Sequence, residues 1–587
     1  MKFWIPAIAL VLVLAGVGAW LWFGPAGEAV PEAVTLEADP GDVRLGEEKQ
    51  RYIWDMEHAT FQIENYLGKP LVAAIRDGAE LGGFFRRDFE GRVFEMDDPG
   101  RTRRAALVTE VRRLAGEHRR TSVDGAGFAA YLRSRLADFS MMQGARVRVL
   151  HLDRTHDDEG RWDARVLLTV SGADAQGEPR TFKSILEAGL VFVDGRKIAD
   201  GPVLNRLDVT SEVLAVSRRL LMEEATERFG LADLDLPDNW KLPLKENRNQ
   251  RYQLAAEDFN RDGFMDVILG TNHGRPYLLM SVEGRRFEEV AHAAGLPTDT
   301  VEPKLLNSLV AWIDYDNDGY PDLILGGRLY HNLEGKGFQD VTHASRLVFN
   351  KGPLGCTIAD FNADGLLDIY ALHQLAHDPT PAGKPSWVDD EHSGARNELW
   401  LNEGDGRFRN VTQVARAGAG RRQTFAASAF FYDDDRFPDL YVANDFGRNV
   451  LLRNLGDGTF EDLSGKTRAA DFATSMGVAT GDLDNDGTSE IYVANMYSKM
   501  GRRIIAHVDA ADYPPGVYEQ IEGSCAGNRL YRRAPGRSDF EELSDALEIN
   551  GVGWAYAPSM VDLDGDGWLD LYATTGFMSF GRGKPDG

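Results

Sequence analysis

Clusters of acidic side chains recur at one fixed spacing in the C-terminal part of this 587-residue chain. Each cluster follows the pattern D-x-[DN]-x-D-G-x-x-[DE], with oxygen-bearing side chains at positions 1, 3, 5 and 9 and glycine at position 6. Five intact copies occupy residues 258–266, 314–322, 360–368, 482–490 and 562–570. A sixth copy, residues 431–439, has Phe431 at position 1 and Arg436 at position 6, and has therefore lost a carboxylate and the glycine.

This spacing predicts a site for a divalent cation, because carboxylates so close together repel one another unless a cation lies between them. Hard oxygen ligands at alternate positions suit Ca²⁺, whereas Mg²⁺ demands a stricter octahedral geometry. Glycine at position 6 permits the sharp turn, and position 7 would offer its backbone carbonyl. The predicted Ca²⁺ ligands are Asp258, Asn260, Asp262, Phe264, Asp266, Asp314, Asp316, Asp318, Tyr320, Asp322, Asp360, Asn362, Asp364, Leu366, Asp368, Asp482, Asp484, Asp486, Thr488, Glu490, Asp562, Asp564, Asp566, Trp568 and Asp570.

A solvated Asp-rich turn is the alternative interpretation of any single copy. Five copies at the same place in a repeat favour calcium over that alternative. The degraded copy, residues 431–439, is predicted to be metal-free. There, Arg436 is expected to replace the cation by pairing with Asp433 or Asp435.

The segments around each acidic loop predict four short strands per repeat. One apolar strand enters the loop, as in VAWID (310–314), and a second leaves it. A third strand follows, as in RLYHN (328–332), and a fourth comes after a glycine turn, as in GKGFQDVT (335–342). Four antiparallel strands per repeat are typical of a β-propeller blade. The fold class predicted is therefore mainly β, a propeller preceded by a transmembrane helix and a small α+β domain.

These motifs resemble the FG-GAP/VCBS repeat over about residues 220–587. That repeat builds the propeller of integrin α chains, and similar repeats occur in bacterial surface proteins and the cartilage-acidic-protein family. The resemblance implies Ca²⁺ in the loop that joins strands one and two of each blade, and a ligand on the opposite face. Only one strand follows the last acidic loop, so the blade count stays at six or seven. Residues 221–232 resemble a fourth strand that would close the ring; a truncated C-terminus is the alternative.

The N-terminal segment predicts a membrane anchor. Residues 3–23 are 21 uncharged, mostly apolar positions, and about 20 such residues span a bilayer as a helix. Trp20, Trp22 and Phe23 lie where a signal peptide would be cleaved, which favours an uncleaved anchor over a secretory signal. Lys2 precedes the span and acids follow it, so we expect a single pass with a cytoplasmic N-terminus and a periplasmic or extracellular body. The expected domains are 1–24 anchor, 25–46 linker, 47–215 α+β domain and 216–587 propeller.

Residues 47–215 lack the acidic repeats and predict an α+β domain. Helices are expected at 47–76 and 101–138, the second with nine arginines, and strands at 147–152, 165–170 and 182–193. The stretch Leu71–Gly91 resembles the opening of the SnoaL-like/ketosteroid-isomerase cone fold, whose members include both enzymes and binding modules. Asp55 and His58 could form an acid/base pair there or simply lie on an exposed helix face. The arginine-rich stretch is a membrane- or polyanion-facing patch or a solvated face.

Composition limits the class of partner. The formal net charge is −27, from 92 acidic and 65 basic side chains, and such a chain is a poor nucleic-acid binder because that binding depends on neutralising phosphates. No nucleic-acid partner is therefore expected. The two cysteines, Cys356 and Cys525, give no disulfide or zinc pattern.

Two long insertions, residues 373–396 and 496–527, follow second strands and should lie on the face opposite the acidic loops. Long loops on a rigid scaffold usually carry binding. We therefore expect a recognition or adhesion scaffold for an extracellular or periplasmic protein or glycan ligand, with the membrane reached through the N-terminal helix. Trp387, Tyr497, Tyr513 and Tyr518 would be aromatic anchors for that ligand or would pack as a lid over the ring.

An enzyme is the first alternative. A polysaccharide lyase or hydrolase would have its site under the two insertions. The first insertion contains His373, His377, Asp378, Asp389, Asp390 and His392, which would form a transition-metal or catalytic site or simply a solvated polar loop. No nucleophile motif of known spacing supports this class of function. The second alternative is a small-molecule site inside residues 50–210.

Overall fold

The chain forms two compact units that are mainly β. The first contains Met1–Glu224 with Lys499–Pro514, and the second Ala225–Ser498 with Pro515–Gly587. The computed structural model describes residues 45–105, 107–155, 160–192, 201–220, 222–236, 252–271, 274–297, 309–350, 352–374, 394–513 and 516–576.

The first unit is built on one large sheet covered by helices. Its strand order is β2-β3-β8-β7-β6-β5, and β1 pairs antiparallel with β4 and parallel with β8. A π-helical turn, Ile63–Gly68, joins the first two helices. The elements are α1 (Glu47–Gln62), α2 (Lys69–Arg76), β1 (Phe85–Phe94), β2 (Arg101–Arg104), β3 (Val108–Leu114), β4 (Arg120–Val123), α3 (Gly125–Arg135), β5 (Met141–Arg154), β6 (Arg161–Ala173), β7 (Pro179–Val191) and β8 (Leu204–Ser217).

Alternating sequence patterns build this sheet. Buried and more exposed residues alternate along β6 and β7, because successive side chains of a strand point to opposite faces. The buried face packs with the helices in one core that includes Met56, Phe128, Trp162 and Phe182. The Asp124 side chain caps α3 by accepting the amide of Gly127 at 2.8 Å.

The helix predicted at 101–138 is wrong over most of its length. Residues 101–104, 108–114 and 120–123 are strands, and only Gly125–Arg135 is helical. The reason is that Thr102 and Val111 pair across a hairpin in which every residue of β2 is exposed, so the arginines extend from strands rather than from a helix face. The three predicted strands overlap β5, β6 and β7.

The second unit consists of successive small antiparallel sheets. Four-stranded sheets have the orders β12-β11-β10-β9, β13-β14-β15-β16, β17-β18-β19-β20, β21-β22-β24-β25 and β27-β28-β29-β30, and β31 pairs with β32. The elements are β9 (Tyr252–Glu257), β10 (Asp266–Thr271), β11 (Tyr277–Val282), β12 (Arg286–Glu289), β13 (Val310–Ile313), β14 (Asp322–Leu325), β15 (Arg328–Asn332), β16 (Phe338–Asp340), α4 (Thr342–Ser345), β17 (Gly355–Ala359), β18 (Asp368–Leu372), β19 (Glu398–Asn402), β20 (Phe408–Asn410), α5 (Thr412–Ala415), β21 (Thr424–Phe430), β22 (Asp439–Asn444), β23 (Gly447–Arg448), β24 (Val450–Asn454), β25 (Phe460–Asp462), α6 (Ser464–Thr467), β26 (Phe472–Ala473), β27 (Ser475–Gly481) and β28 (Glu490–Asn495).

After β28 the chain enters the first unit and then returns. Helix α7 (Lys499–Ile505) and the turn Ala510–Asp512 belong to the first unit. The remaining elements belong to the second unit and are α8 (Val517–Cys525), β29 (Arg529–Arg532), β30 (Glu541–Glu542), β31 (Ala555–Val561) and β32 (Asp570–Thr575). Cys356 and Cys525 are both free thiols.

Neighbouring sheets of the second unit are joined through their first strands and through buried asparagines. Strand β9 contacts β13, β13 contacts β17, β17 contacts β21, β21 contacts β27, and β27 contacts β31. Asn332, at the end of β15, donates to the carbonyl of Phe259 at 2.9 Å in the preceding sheet. Asn402 and Asn454 do the same to Tyr315 and Phe361, both at 2.7 Å. These three sheets are therefore each fixed to the acidic loop of an earlier sheet.

The predicted membrane anchor is not supported. Among the residues that the structure describes, no helix is long and apolar enough to cross a bilayer. The longest of these α-helices, α1, has 16 residues with acidic side chains in its first turn, whereas a span needs about 20 mostly apolar residues. The expected span at residues 3–23 lies outside the described residues. The prediction of a single-pass protein with a cytoplasmic N-terminus is corrected accordingly.

Candidate metal centres

Each intact acidic loop joins the first and second strands of a sheet. Residues 258–266 connect β9 to β10, and the other four loops occupy the same place in their sheets. Position 9 is the first residue of the second strand, as at Asp266 and Asp322. The repeat therefore positions every loop by the same pair of strands, as its sequence predicts.

The first carboxylate organises the loop through backbone amides. The Asp258 oxygens accept the amides of Asp262 at 3.0 Å and Gly263 at 2.8 Å, and the same pair of bonds forms at Asp314, Asp360, Asp482 and Asp562. Position 6 has a φ of 85° to 91° in all five loops. Side chains other than glycine rarely adopt this left-handed conformation, which explains the glycine.

The ninth carboxylate is buried and joins the loop to the third strand. Asp322 accepts the amide of Tyr315 at 3.2 Å and that of Asn332 at 2.7 Å, and Asp266 and Asp368 repeat both bonds. Burial, together with the neighbouring loop carboxylates, raises the pKa of Asp266 to about 6 and that of Asp322 and Asp368 to about 7. These groups occupy sites where a negative charge is costly without a counter-charge.

The loops bring several predicted ligands together. Three sets of side chains each place one ligand atom per residue within 4.8 Å of one another. These sets are Asp314, Asp316 and Asp318; Asp482, Asp484 and Glu490; and Asp562, Asp564 and Asp566. In the two loops with asparagine at position 3, the amide nitrogens of Asn260 and Asn362 lie 3.2 Å and 2.9 Å from the carboxylates of Asp262 and Asp364. Acidic side chains therefore converge in three of the five loops, and in the other two the asparagine at position 3 contacts the carboxylate at position 5.

The residues at position 7 contribute amides to the loop. Phe264, Tyr320, Leu366, Thr488 and Trp568 each donate the backbone N–H to the carboxylate at position 5, at 2.8 to 3.0 Å. Their carbonyl groups remain predicted ligands.

The loop at 482–490 differs from the others in its ninth residue. Glu490 accepts the amide of Leu483 at 2.7 Å through Oε2, but its buried Oε1 has no hydrogen-bond partner among the described residues. Burial, first, and the loop aspartates raise its pKa to about 7. A buried acceptor without a partner is unusual, so this oxygen is free to coordinate a cation.

His331 is a member of one cluster that the sequence motif did not include. Its Nδ1 lies 3.3 Å from Asp316 Oδ2 and 3.1 Å from Asp322 Oδ1. His331 occupies the third strand, directly before the asparagine that fixes the sheet to its neighbour. Sequence reasoning could have found His331 only from its position in the repeat, on the third strand directly before the asparagine.

The degraded copy has an internal cation, but not the predicted one. Arg453 Nε lies 2.6 Å from Asp433 Oδ2, whereas Arg436 stacks on the Phe437 ring at 5.1 Å. Arg453 occupies the third-strand position that His331 holds in its own sheet. Arg453 therefore reaches Asp433 from the third strand, whereas Arg436, in the turn itself, is exposed.

The insertions are only partly described. His373 is buried, with Nε2 3.5 Å from Glu398 Oε2 and its amide donated to Asn397 Oδ1 at 2.9 Å. The structure therefore places His373 directly after β18 and beside Glu398. The other candidates of that insertion, at positions 377, 378, 387, 389, 390 and 392, lie outside the described residues. The second insertion places Tyr497, Tyr513 and Tyr518 in partly buried positions.

The first unit does not bring its predicted pair together. Asp55 lies 3.6 Å from Arg154, and His58 is 2.9 Å from Gln62 on its own helix. An apolar cavity of about 40 Å³ lies in the core, with room for no more than a few waters. Its polar wall contains Glu212, which accepts the Tyr131 hydroxyl at 2.6 Å.

Comparison with known proteins identifies the repeat. Residues 258–325, 314–371 and 432–493 match the model of the FG-GAP-like repeat. The chain contains FG-GAP-like repeats. Cartilage acidic protein 1 of Homo sapiens and of Mus musculus is 31% identical over 173 residues, which is 24% of this chain and 26% of the relative. The chain thus spans about a quarter of the length of the curated relatives that it matches. The FG-GAP-like matches include the degraded copy as well as intact ones.

Among solved structures, a post-proline cleaving enzyme from Rickettsia typhi aligns over 77% of this chain and 62% of that chain. The identity is 10% and the TM-score is 0.19, so this likeness carries no argument about fold or function. The resemblance of residues 50–210 to the SnoaL-like cone fold stays a prediction.

Proposed function

We propose that the second unit is a calcium-stabilised β-propeller that acts as an extracellular recognition scaffold of the adhesion type. The FG-GAP-like repeats support this class of function. The ligand would be a protein or a glycan. It would bind at the ends of the sheets opposite the acidic loops, where the two long insertions leave the second strands.

The packing of the sheets supports the propeller. Their first strands contact one another in chain order, from β9 to β31, as expected of blades arranged around an axis. In the turn after a sheet's fourth strand, one backbone carbonyl also accepts a hydrogen bond from the next sheet. Ala294 O accepts the amide of Phe338 at 2.8 Å, and Thr467 O accepts that of Phe540 at 2.9 Å.

The segment before the first sheet repeats this bond. Phe229 O accepts the amide of Phe287, in β12, at 3.0 Å. Phe229 precedes a glycine with φ 71°, just as Ala294 precedes a glycine with φ 81°. We infer that residues 222–236 supply the fourth-strand end of the blade to which β31 and β32 belong. This arrangement would close the ring by joining the two ends of the propeller sequence.

The observation that carries the calcium proposal is the convergence of Asp314, Asp316 and Asp318, repeated in two further loops. Like charges at this spacing repel unless a cation lies between them. The converging side chains of these three sets offer only oxygen atoms, which suits Ca²⁺. The binding free energy of each ion would add to the stability of the propeller.

Calorimetry of the full chain tests the proposal. At free Ca²⁺ of about 100 times the dissociation constant, each occupied site adds about 2.7 kcal/mol to the free energy of unfolding, so EDTA should lower the melting temperature by many degrees. Titration should give about five equivalents of Ca²⁺, and the triple variant Asp314→Asn, Asp316→Asn, Asp318→Asn should lose one. The matched control is Asp433→Asn in the degraded loop, and this variant should bind as many equivalents of Ca²⁺ as the parent protein. An unchanged melting curve in EDTA would contradict the proposal.

The recognition role needs a separate measurement. Arrays of glycans and of extracellular proteins can be probed with the full chain in Ca²⁺ and in EDTA. Binding that depends on Ca²⁺ and is lost when residues 375–393 are replaced by a short linker would support the proposed face. Binding that survives this replacement would place the ligand site elsewhere.

A further inference from the structure

A second type of metal-ligand cluster lies in the first unit, away from all acidic loops. His151 and Asp153 are two residues apart on β5, so both project from the same face of the strand. His507 follows α7, in the segment that joins the first unit from far along the chain. One ligand atom from each of the three side chains lies within 4.8 Å of the others.

Two of the three side chains already contact each other. His151 Nε2 forms a hydrogen bond of 2.6 Å with Asp153 Oδ2, and His507 Nδ1 is 3.6 Å from Asp153 Oδ1. Bonds of about 2.0–2.2 Å in a tetrahedral zinc site place ligand atoms roughly 3.4 Å apart, so the His507–Asp153 distance fits two ligands of one ion, whereas the His151–Asp153 hydrogen bond would have to open for an ion to enter. The imidazole rings of His151 and His507 lie nearly parallel, with centroids 5.5 Å apart and an interplanar angle of 17°.

One of the three side chains is buried and the other two are partly exposed, so the cluster is open to solvent on one side. The His507 side chain is 10% exposed and faces Asp153 through Nδ1, whereas its buried Nε2 has no hydrogen-bond partner among the described residues. His151 and Asp153 are 41% and 48% exposed, so solvent reaches the cluster from their side.

His507 is held in place by contacts of α7 with α1 and β5, and one contacting residue, Tyr52, also reaches the cluster because its hydroxyl donates to Asp153 Oδ1 at 3.5 Å. Arg503, on α7, donates to both Glu57 oxygens at 2.8 Å and 2.7 Å and to the Val149 carbonyl at 3.0 Å. Lys49 pairs with Asp509 at 2.9 Å. The Tyr52 ring packs edge-on against His507. The ligand from the insertion is thus positioned before any ion binds, which lowers the entropic cost of binding.

We propose that His151, Asp153 and His507 bind a divalent transition metal ion of the zinc class, with a fourth position open to water. Two imidazoles and one carboxylate are borderline ligands that favour such an ion over Ca²⁺. The site is independent of the acidic loops and of the proposed adhesion role. It couples the insertion after β28 to β5 and, through the open position, offers the ion to an exogenous oxygen ligand.

Cobalt substitution tests this site directly. The full chain is stripped of metal, saturated with Ca²⁺ and titrated with Co²⁺, whose four-coordinate complexes absorb visible light. We expect one equivalent to bind with such a spectrum, and Zn²⁺ to displace it. His151→Gln should weaken binding at least about 100-fold, since loss of outer-sphere partners alone costs about 10–100-fold. Asp153→Asn and His507→Gln should have the same effect.

The chain provides a matched control in the same unit. His118 Nδ1 lies 2.9 Å from Asp98 Oδ2, which is a histidine–aspartate pair outside every cluster of three ligands found in the described residues. His118→Gln should leave the cobalt spectrum unchanged. The decisive variant is His151→Gln, because the side chain is half-exposed and its removal should not change the metal-free melting temperature. Cobalt absorption that persists in His151→Gln, that is lost in His118→Gln, or that is absent from the parent protein would overturn the proposal.

Discussion

The intact loop at 314–322 and the degraded loop at 431–439 share a fold but balance their charge differently. In both, the ninth carboxylate accepts the amide of position 2 and that of the asparagine ending the third strand. The intact loop gathers Asp314, Asp316 and Asp318. The degraded loop lacks the first of these and pairs Asp433 with Arg453.

This difference separates two roles within one motif. The ninth carboxylate and the third-strand asparagine shape the loop whether or not the first carboxylate is present. The carboxylates at positions 1, 3 and 5 create a need for positive charge, which we propose an ion meets in the intact loops and a guanidinium meets in the degraded one.

The largest expected effect comes from removing the shared ninth carboxylate. Asp322→Ala and Asp439→Ala each leave two buried amides without an acceptor, and each unsatisfied group costs about 1–3 kcal/mol. Chemical denaturation in EDTA should therefore show a loss of about 2–6 kcal/mol for both variants. Asp405→Ala, in an exposed turn pair with Arg407, is the control and should change stability little. A large loss for Asp322→Ala alone would contradict the shared role.

A smaller effect is expected from pH in the absence of calcium. The folded-state pKa of Asp368, Asp439 and Glu490 is raised to about 7 by burial, whereas unfolded carboxyls titrate near about 4. At these three groups the folded protein binds more protons than the unfolded one between these values, so their contribution to stability is fully present below about pH 4 and is lost as the pH rises through about 7.

Calcium should change this profile in the intact loops only. An ion that neutralises the ninth carboxylate opposes the loss of stability. The melting temperature should therefore fall less in Ca²⁺ than in EDTA between pH 5 and pH 8, which lie about one unit above the unfolded-state and the folded-state pKa values. Asp439→Asn should remove the contribution of the degraded loop equally in both conditions. A calcium-independent pH profile would argue against ion binding at the other loops.

The smallest expected effects distinguish the two arginines of the degraded loop. Arg453→Met removes a partly exposed ion pair, which is worth about 0–1 kcal/mol, and leaves Asp433 without its cation. Arg436→Met alters an exposed side chain stacked on Phe437, so its effect should stay within about 0.5 kcal/mol. Paired denaturation curves of the two variants provide the measurement. A greater loss for Arg436→Met would restore the turn residue as the counter-charge.

Local patterns in the sequence predicted the loops and the strands around them, because a nine-residue turn and its flanking strands depend on neighbouring residues. Prediction failed where partners are distant. Arg453 reaches Asp433 from the third strand, and sequence spacing instead favoured the adjacent Arg436. The arginine-rich stretch at 101–123 has no clear periodicity, and hairpin pairing decided its strand structure.

The sequence by itself determined the positions of the acidic loops, the glycine that each turn requires and the oxygen-rich chemistry of the predicted ligands. Only the tertiary structure decided which carboxylates converge, which arginine replaces a missing ligand and that His507 joins His151 and Asp153. The physical reason is that side-chain spacing within a turn is set by local backbone geometry. Contacts between residues hundreds of positions apart are set instead by strand register and by the docking of the insertion through Arg503.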